Sequence, residues 1–304
     1  MNGGETIETF ACFGGQATVI VQGVGPAGDA PTAVAVAKRR LLEWHDQFSR
    51  FEPGSELSSL NVDPRPTVPV SPVMARLIEA ILDGARLSGG LVDATLVGEI
   101  ERAGYDAHFG GDSLPLAEAL RRAPTRAAAA PGAHPRWSEI SIDRTAGTVT
   151  RPPGLRFDSG GIAKGLFGDI LSGVLGLHGS FAIDSGGDIR LGGAAGTVRP
   201  VQVASPLDDS ILHTFEVADG AAATSGIGRR SWLDRDGEPA HHLLDPSTGR
   251  PAFTGVIQAT ALAPTAVEAE VLAKTALLRG PQAAGATLVH GGLVVRDDGS
   301  IEIA

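Results

Sequence analysis

The stretch FDSGGIAKGL, residues 157–166, places an acid, two adjacent glycines and a lysine where a strand would turn into a helix. Backbone N–H groups at a helix N-terminus point outward and favour anions. Glycine lets a phosphate approach such a backbone closely, and Lys164 adds positive charge one turn in. The competing reading is a tight turn beside a surface lysine. The spacing matches neither a P-loop nor the G-x-G-x-x-G dinucleotide fingerprint. A second loop, IDSGGD at 183–188, repeats the theme with Asp184 and Asp188 and no lysine. Two acids there repel a phosphate unless they bind other groups or structure the turn. A third glycine-broken turn, TSGIGRRSW at 224–232, carries Arg229 and Arg230.

HHLLDPSTGRPA, residues 241–252, pairs two histidines with an apolar step and a turn closed by Gly249. Histidine is the usual general base near neutral pH. Neighbours on a strand face opposite ways, so at most one of His241 and His242 faces a given site. In the late segment 264–279, Glu270 and Lys274 stand four apart, the spacing of a surface ion pair. Alternatively, Glu270 and Thr275 offer oxygen to a hard cation such as Mg²⁺. No Cys/His set has zinc spacing, and no G-x-S-x-G elbow supports serine hydrolysis.

The elements that must hold these residues are legible from periodicity. Residues 7–22 read as strand, glycine break, strand. Residues 31–50 and 71–88 read as helices, each with proline in its first turn and Ser71 as an N-cap. A turn and short helix fill 49–61, and 113–130 is a weak Ala/Arg-rich helix or loop. A hairpin occupies 138–151, helices occupy 162–176 and 264–279, and 181–193 is strand, turn, strand. VQVASP, HTFEVAD and LVVRDDGSIEIA are further strands. Strands and helices mix without regular βαβ alternation, which predicts an α+β fold rather than a doubly wound sheet.

Composition narrows the classes. The chain has 304 residues, 42% hydrophobic and 20% charged, which suits a large buried core. Its net charge of −10 argues against nucleic acid as a partner. A lone cysteine, Cys12, excludes an intrachain disulfide. The sequence shows no leader and no apolar run long enough for a membrane span, so a cytoplasmic location is expected.

Seven stretches, in order, resemble the bacterial FAD:protein FMN transferases, the ApbE-type flavin transferase family. They are SRFEPGSELSSLN (49–61), SGGLVDATLVG (88–98), FDSGGIAKG (157–165), IDSGGDIRLGG (183–193), ATSG (223–226), HHLLDPSTGRPA (241–252) and PTAVEAEVLAKTALLRGP (264–281). The resemblance runs from about residue 10 to 290. It implies a single flavin transferase domain over 1–304. The implied fold is α+β and T-fold-like, with two lobes of mixed and antiparallel sheets, flanking helices and a ligand cleft between the lobes. FAD would be the substrate, Mg²⁺ the metal and AMP the leaving group. FMN would pass to a serine or threonine of an acceptor flavoprotein, and a homodimer is possible. A non-catalytic FAD carrier or an FAD pyrophosphatase would share the same architecture.

Residue by residue, the resemblance implies His242 as the base. It implies FAD contacts at Phe13, Phe51, Leu91, Val92, Asp93, Ser159, Gly160, Lys164 and Leu244. For the metal it points to the Ala163 carbonyl, Glu270, the position of Lys274, and Thr275. The family's usual Met-Gly-Thr opening is Phe13-Gly14-Gly15 here, and its late-helix aspartate is Glu270.

Overall fold

The computed structural model describes residues 4–110 and 113–304. Its centre is an eight-stranded sheet in which spatial order follows chain order. The strands are β1 (Glu5–Cys12), β2 (Gly15–Gln22), β3 (Ser180–Ser185), β4 (Asp188–Gly192), β5 (Gly220–Gly226), β6 (Val256–Ala263), β7 (Gly292–Arg296) and β8 (Ile301–Ile303). Every neighbouring pair is antiparallel. The α+β expectation therefore holds, with helices inserted between the strands of one meander.

Four long helices fill those insertions: α1 (Ala30–Phe48), α2 (Pro72–Leu87), α3 (Ala163–Leu175) and α4 (Ala266–Arg279). The Asp29 carboxylate accepts from Thr32 N–H at the start of α1, and Ser71 Oγ accepts from Met74 N–H at the start of α2. Proline follows within two positions in both, where its missing N–H costs nothing. Helix α1 rests on β1 and β2, α3 on β3 and β4, and α4 on β5 and β6.

Alternation along β2 explains the seating. Ala17, Val19 and Val21 are buried beneath α1, while Thr18, Ile20 and Gln22 look the other way. A hairpin of Arg199–Ala204 and Ile211–Val217 packs through Val201, Phe215 and Val217 against Ala182, Leu191 and Ala222 on the opposite face. The apolar interior on the helix side falls into two large clusters. One is built around α1, α2 and α3, the other around α4 and β5 to β7.

Two hairpin turns of the sheet are built on left-handed backbone. Phe13 and Gly14 join β1 to β2, both with positive φ (53° and 70°), as a two-residue turn of matching twist requires. Gly186 and Gly187 join β3 to β4 in the same way (71° and 98°). Glycine takes that conformation freely; Phe13 does so at a cost of order 1–3 kcal/mol. No helix among the described residues is long and apolar enough to cross a membrane.

Candidate functional site

A cavity of about 280 Å³ opens where the two apolar clusters meet. Its wall is drawn from the β1–β2 turn, the C-terminal end of α1, the 91–109 segment, the 158–164 loop, the 229–244 segment and one face of α4. Of the residues expected at the site, Phe13, Phe51, Leu91, Val92, Asp93, Ser159, Gly160, Ala163, Lys164, His242, Leu244 and Lys274 line it; Glu270 and Thr275 do not.

One half of the cavity is aromatic. The chain has ten Phe, three Trp and one Tyr. Seven of these, Phe13, Trp44, Phe48, Phe51, Tyr105, Phe109 and Phe167, line this one cavity. Phe13 stacks on Phe167 at 5.6 Å, and Trp44 on Phe167 at 4.9 Å. The turn that strains Phe13 is held on both sides. Its N–H donates to His45 Nδ1 and its carbonyl accepts from Arg230, each at 3.2 Å. Arg50 lies 4.1 Å over the Phe51 ring, donates to the Tyr105 carbonyl at 2.6 Å and to Asp158 Oδ2 at 3.0 Å. Such a wall accepts a planar conjugated ring by stacking.

The other half is the glycine loop. Asp158 Oδ1 accepts from Gly160 N–H at 2.8 Å, and Ser159 Oγ donates to the Phe48 carbonyl at 2.7 Å. The acid of FDSGGIAKGL thus shapes its own turn and anchors Arg50. The ammonium of Lys164 pairs with Asp188 on the second DSGG loop and donates to the Ser185 carbonyl. Asp184 braces that loop by accepting from Gly187 N–H at 2.8 Å. Both acids of the second loop therefore have structural partners, which removes the repulsion expected for a bare acidic pair. Burial lifts the Asp184 carboxyl above its usual range, as it does Asp93, whose Oδ1 accepts from Thr95 N–H and Oγ1.

The two histidines divide where the strand Pro239–His241 ends and the chain bends at His242. His242 lines the cavity. Its Nδ1 is buried without a hydrogen-bond partner among the described residues. Burial, and then the charges of Arg230, His241 and Lys274, hold its pKa well below the ordinary imidazole value. The ring is therefore neutral at physiological pH. His241 turns inward at 1% exposure, edge-on to Phe253 at 4.7 Å, and accepts from Leu243 N–H. Burial pushes its pKa down to about 3.

That depression carries a prediction. Unfolded His241 protonates near pH 6.5, folded His241 near pH 3, so between these values only the unfolded chain takes up the proton. Stability is complete above pH 6.5 and is lost as pH falls, at up to about 1.4 kcal/mol per pH unit. Urea unfolding from pH 7 to pH 4 should show a steeper loss for the parent than for His241→Asn, which keeps an acceptor but does not titrate. Equal slopes would refute the assignment.

Helix α4 is where the structure departs from expectation. Glu270 and Lys274 do pair, at 2.9 Å, but not on the surface: Glu270 is 0% exposed and the Lys274 side chain 12%. The helix lies between the sheet, α2 and α3, so its charged positions are interior. The second Glu270 oxygen accepts from Gly165 N–H, in the first turn of α3, at 3.0 Å. In return Asp169 of α3 accepts from Ala266 and Val267 N–H, in the first turn of α4, at 2.8 and 3.0 Å. Each helix places a carboxylate on the other's N-terminal amides, where the helix dipole favours it.

The side chains expected to hold Mg²⁺ do not fit that ion in this arrangement: Glu270 and Thr275 do not line the cavity, and Lys274, which does, has no oxygen to offer. Glu270 spends both oxygens on Lys274 and Gly165. Thr275 Oγ1 is buried and donates to the Val271 carbonyl at 2.7 Å. An ammonium cannot ligate a cation. Among the described residues, no group of three or more His, Cys, Asp or Glu side chains is placed to hold a metal.

The model of the ApbE family matches residues 13–294. This chain belongs to the ApbE family. FAD:protein FMN transferases of Rhodobacter capsulatus and Vibrio cholerae are 30% and 29% identical to it, covering 97% and 91% of the chain. The chain spans 56% of the first relative's length and 83% of the second's. Among solved structures, the ApbE protein of Thermotoga maritima superposes with a TM-score of 0.79 at 24% identity, covering 99% of this chain and 97% of that one. The flavinyl transferase ApbE of Pseudomonas stutzeri does so with 0.78 at 20%, covering 100% and 96%. These likenesses establish the fold.

Arg50 and Tyr105 line the cavity without having been singled out from the sequence, whereas Arg230 was visible in TSGIGRRSW. Arg50, Tyr105 and Arg230 reach the cavity from loops far apart in the chain. For Tyr105 the hint is local: AGYDAHF, residues 103–109, clusters aromatics in a chain with 5% of them.

Proposed function

We propose that this chain binds FAD in the cavity and transfers its FMN half to a serine or threonine hydroxyl of an acceptor protein, releasing AMP. The observation that carries the reading is the position of His242. A neutral imidazole with an unpartnered nitrogen lines the same cavity as an aromatic wall suited to a flavin ring and a glycine loop with cations suited to a pyrophosphate.

The chemistry divides among these parts. The stacked rings around Phe13, Phe51 and Phe167 fix the flavin and keep water from that side. The glycine loop and the cationic side chains of Arg230 and Lys274 face the paired phosphates, where fixed charge lowers the cost of a developing anion. His242 takes the proton of the acceptor hydroxyl as its oxygen bonds to the riboflavin-side phosphorus. The bond from that phosphorus to the bridging oxygen breaks, and AMP leaves with the oxygen. Proton abstraction of this kind is worth about 10²–10⁴-fold.

Mass spectrometry after incubation with FAD and candidate acceptors tests this. AMP should accumulate while an acceptor gains the mass of an FMN phosphoester. Free FMN with AMP would make the chain a pyrophosphatase, and intact FAD under every condition would make it a carrier.

A further inference from the structure

Two observations set Lys274 apart from the other charged groups of the cavity. Its partner Glu270 is already engaged on both oxygens, taking Gly165 N–H on one and the ammonium on the other. An ammonium carries three donors, and Glu270 is the one hydrogen-bond partner of Lys274 among the described residues. Lys164, by contrast, is committed to Asp188 and the Ser185 carbonyl. The stem of Lys274 runs along the glycine loop: a Cβ built on Gly161 would stand 3.5 Å from its Cε. The end of this side chain thus lies beside Gly161, where no side chain stands, on the cavity wall with Arg230 and His242.

We propose that the Lys274 ammonium, seated on Glu270 beside Gly161, takes the place of a divalent cation in this chain, so that FAD binding and FMN transfer need no Mg²⁺. The inference rests on the reading of this cavity as the FAD site. Lys274 pairs with the pyrophosphate in the ground state. It then stabilises the charge left on AMP when the bond between the riboflavin-side phosphorus and the bridging oxygen breaks. The acceptor oxygen forms the new phosphoester, and its proton goes to His242. Glu270 acts as a positioning residue: it holds the ammonium in place and does not touch the substrate.

The test is FAD binding by flavin-fluorescence titration, using the full chain freed of metal with EDTA. The parent should bind saturably, and added MgCl₂ should change the affinity by less than about tenfold. Lys274→Met should weaken binding by at least about tenfold. That variant leaves a buried carboxylate without its partner. The doubly neutral variant Glu270→Gln/Lys274→Met is therefore measured beside it, and it should lose affinity to the same degree. Tightening of the parent by about tenfold or more with Mg²⁺, or parent-like affinity in either variant, overturns the proposal. No FAD binding with or without Mg²⁺ would instead overturn the flavin reading of the cavity, and this proposal with it.

Discussion

Replacing His242 with alanine is expected to slow FMN transfer by about 10²–10⁴-fold while FAD affinity changes by no more than a few-fold. The asymmetry follows from the ring's surroundings. It is held neutral by burial and by nearby positive charge, so it contributes no attraction for the pyrophosphate that its removal could forfeit. Its use lies in accepting a proton, which it does when the acceptor hydroxyl attacks. The pH profiles add a second readout. In the free protein the ring resists protonation, so kcat/KM should hold its plateau well below pH 6.5. Bound pyrophosphate offsets the charges of Arg230 and Lys274 and stabilises the imidazolium. The acid limb of kcat should therefore lie at higher pH than that of kcat/KM. A purely structural histidine would give coincident limbs. An alanine variant that keeps the parent rate removes His242 from the chemistry.

Much of the scaffold was legible because it follows local rules. Apolar periodicity with a proline placed α1 and α2, with a cap as well for α2, and the glycine breaks marked the turns at Phe13–Gly14 and Gly186–Gly187. The weak segment 113–130 resolved into a short helix, Leu116–Arg122, followed by extended chain. That chain is held by Ala127 N–H on the Phe253 carbonyl and Ala129 N–H on the Leu278 carbonyl. Those partners lie far along the sequence, so no local pattern encodes them.

The site was legible in its residues and less so in its electrostatics. Spacing suggested that Glu270 and Lys274 form a pair, but whether the pair is wet or dry depends on what packs over α4. The signal was in the composition of the helix. Ala and Leu fall on all its sides, and a helix apolar all round is a buried one. The two histidines do part company as expected, but not by alternation along a strand: the strand Pro239–His241 ends at His241, and His242 turns to the cavity from the bend that follows. Arg50 could not be placed by such reasoning. Its partners Asp158 and Tyr105 are brought together by folding, and a lone arginine before a phenylalanine carries no marker of either.

The reciprocal capping of α3 and α4 predicts that one methyl group disables the site. A Cβ added to Gly165 would stand 2.7 Å from the Ala266 carbonyl oxygen and 2.8 Å from Val267 N, all rigid backbone of α4. Gly165 has no positive φ, so the obstacle is packing rather than conformation. Gly165→Ala must push the helices apart, at a cost of order 1–3 kcal/mol or more. The displacement stretches the bond from Gly165 N–H to Glu270 and moves Lys274 off the glycine loop, so FAD affinity should fall along with stability. The same substitution further along the helix supplies the control. Gly173 is exposed on α3, with nothing within 4 Å of a built Cβ. There alanine meets no neighbour and gains the usual helical preference, worth about 0.5–1 kcal/mol. Urea denaturation should thus move in opposite directions for Gly165→Ala and Gly173→Ala, and only the first should weaken flavin binding. If the two variants shift stability in the same direction, the close crossing of α3 and α4 is not what positions Glu270 and Lys274.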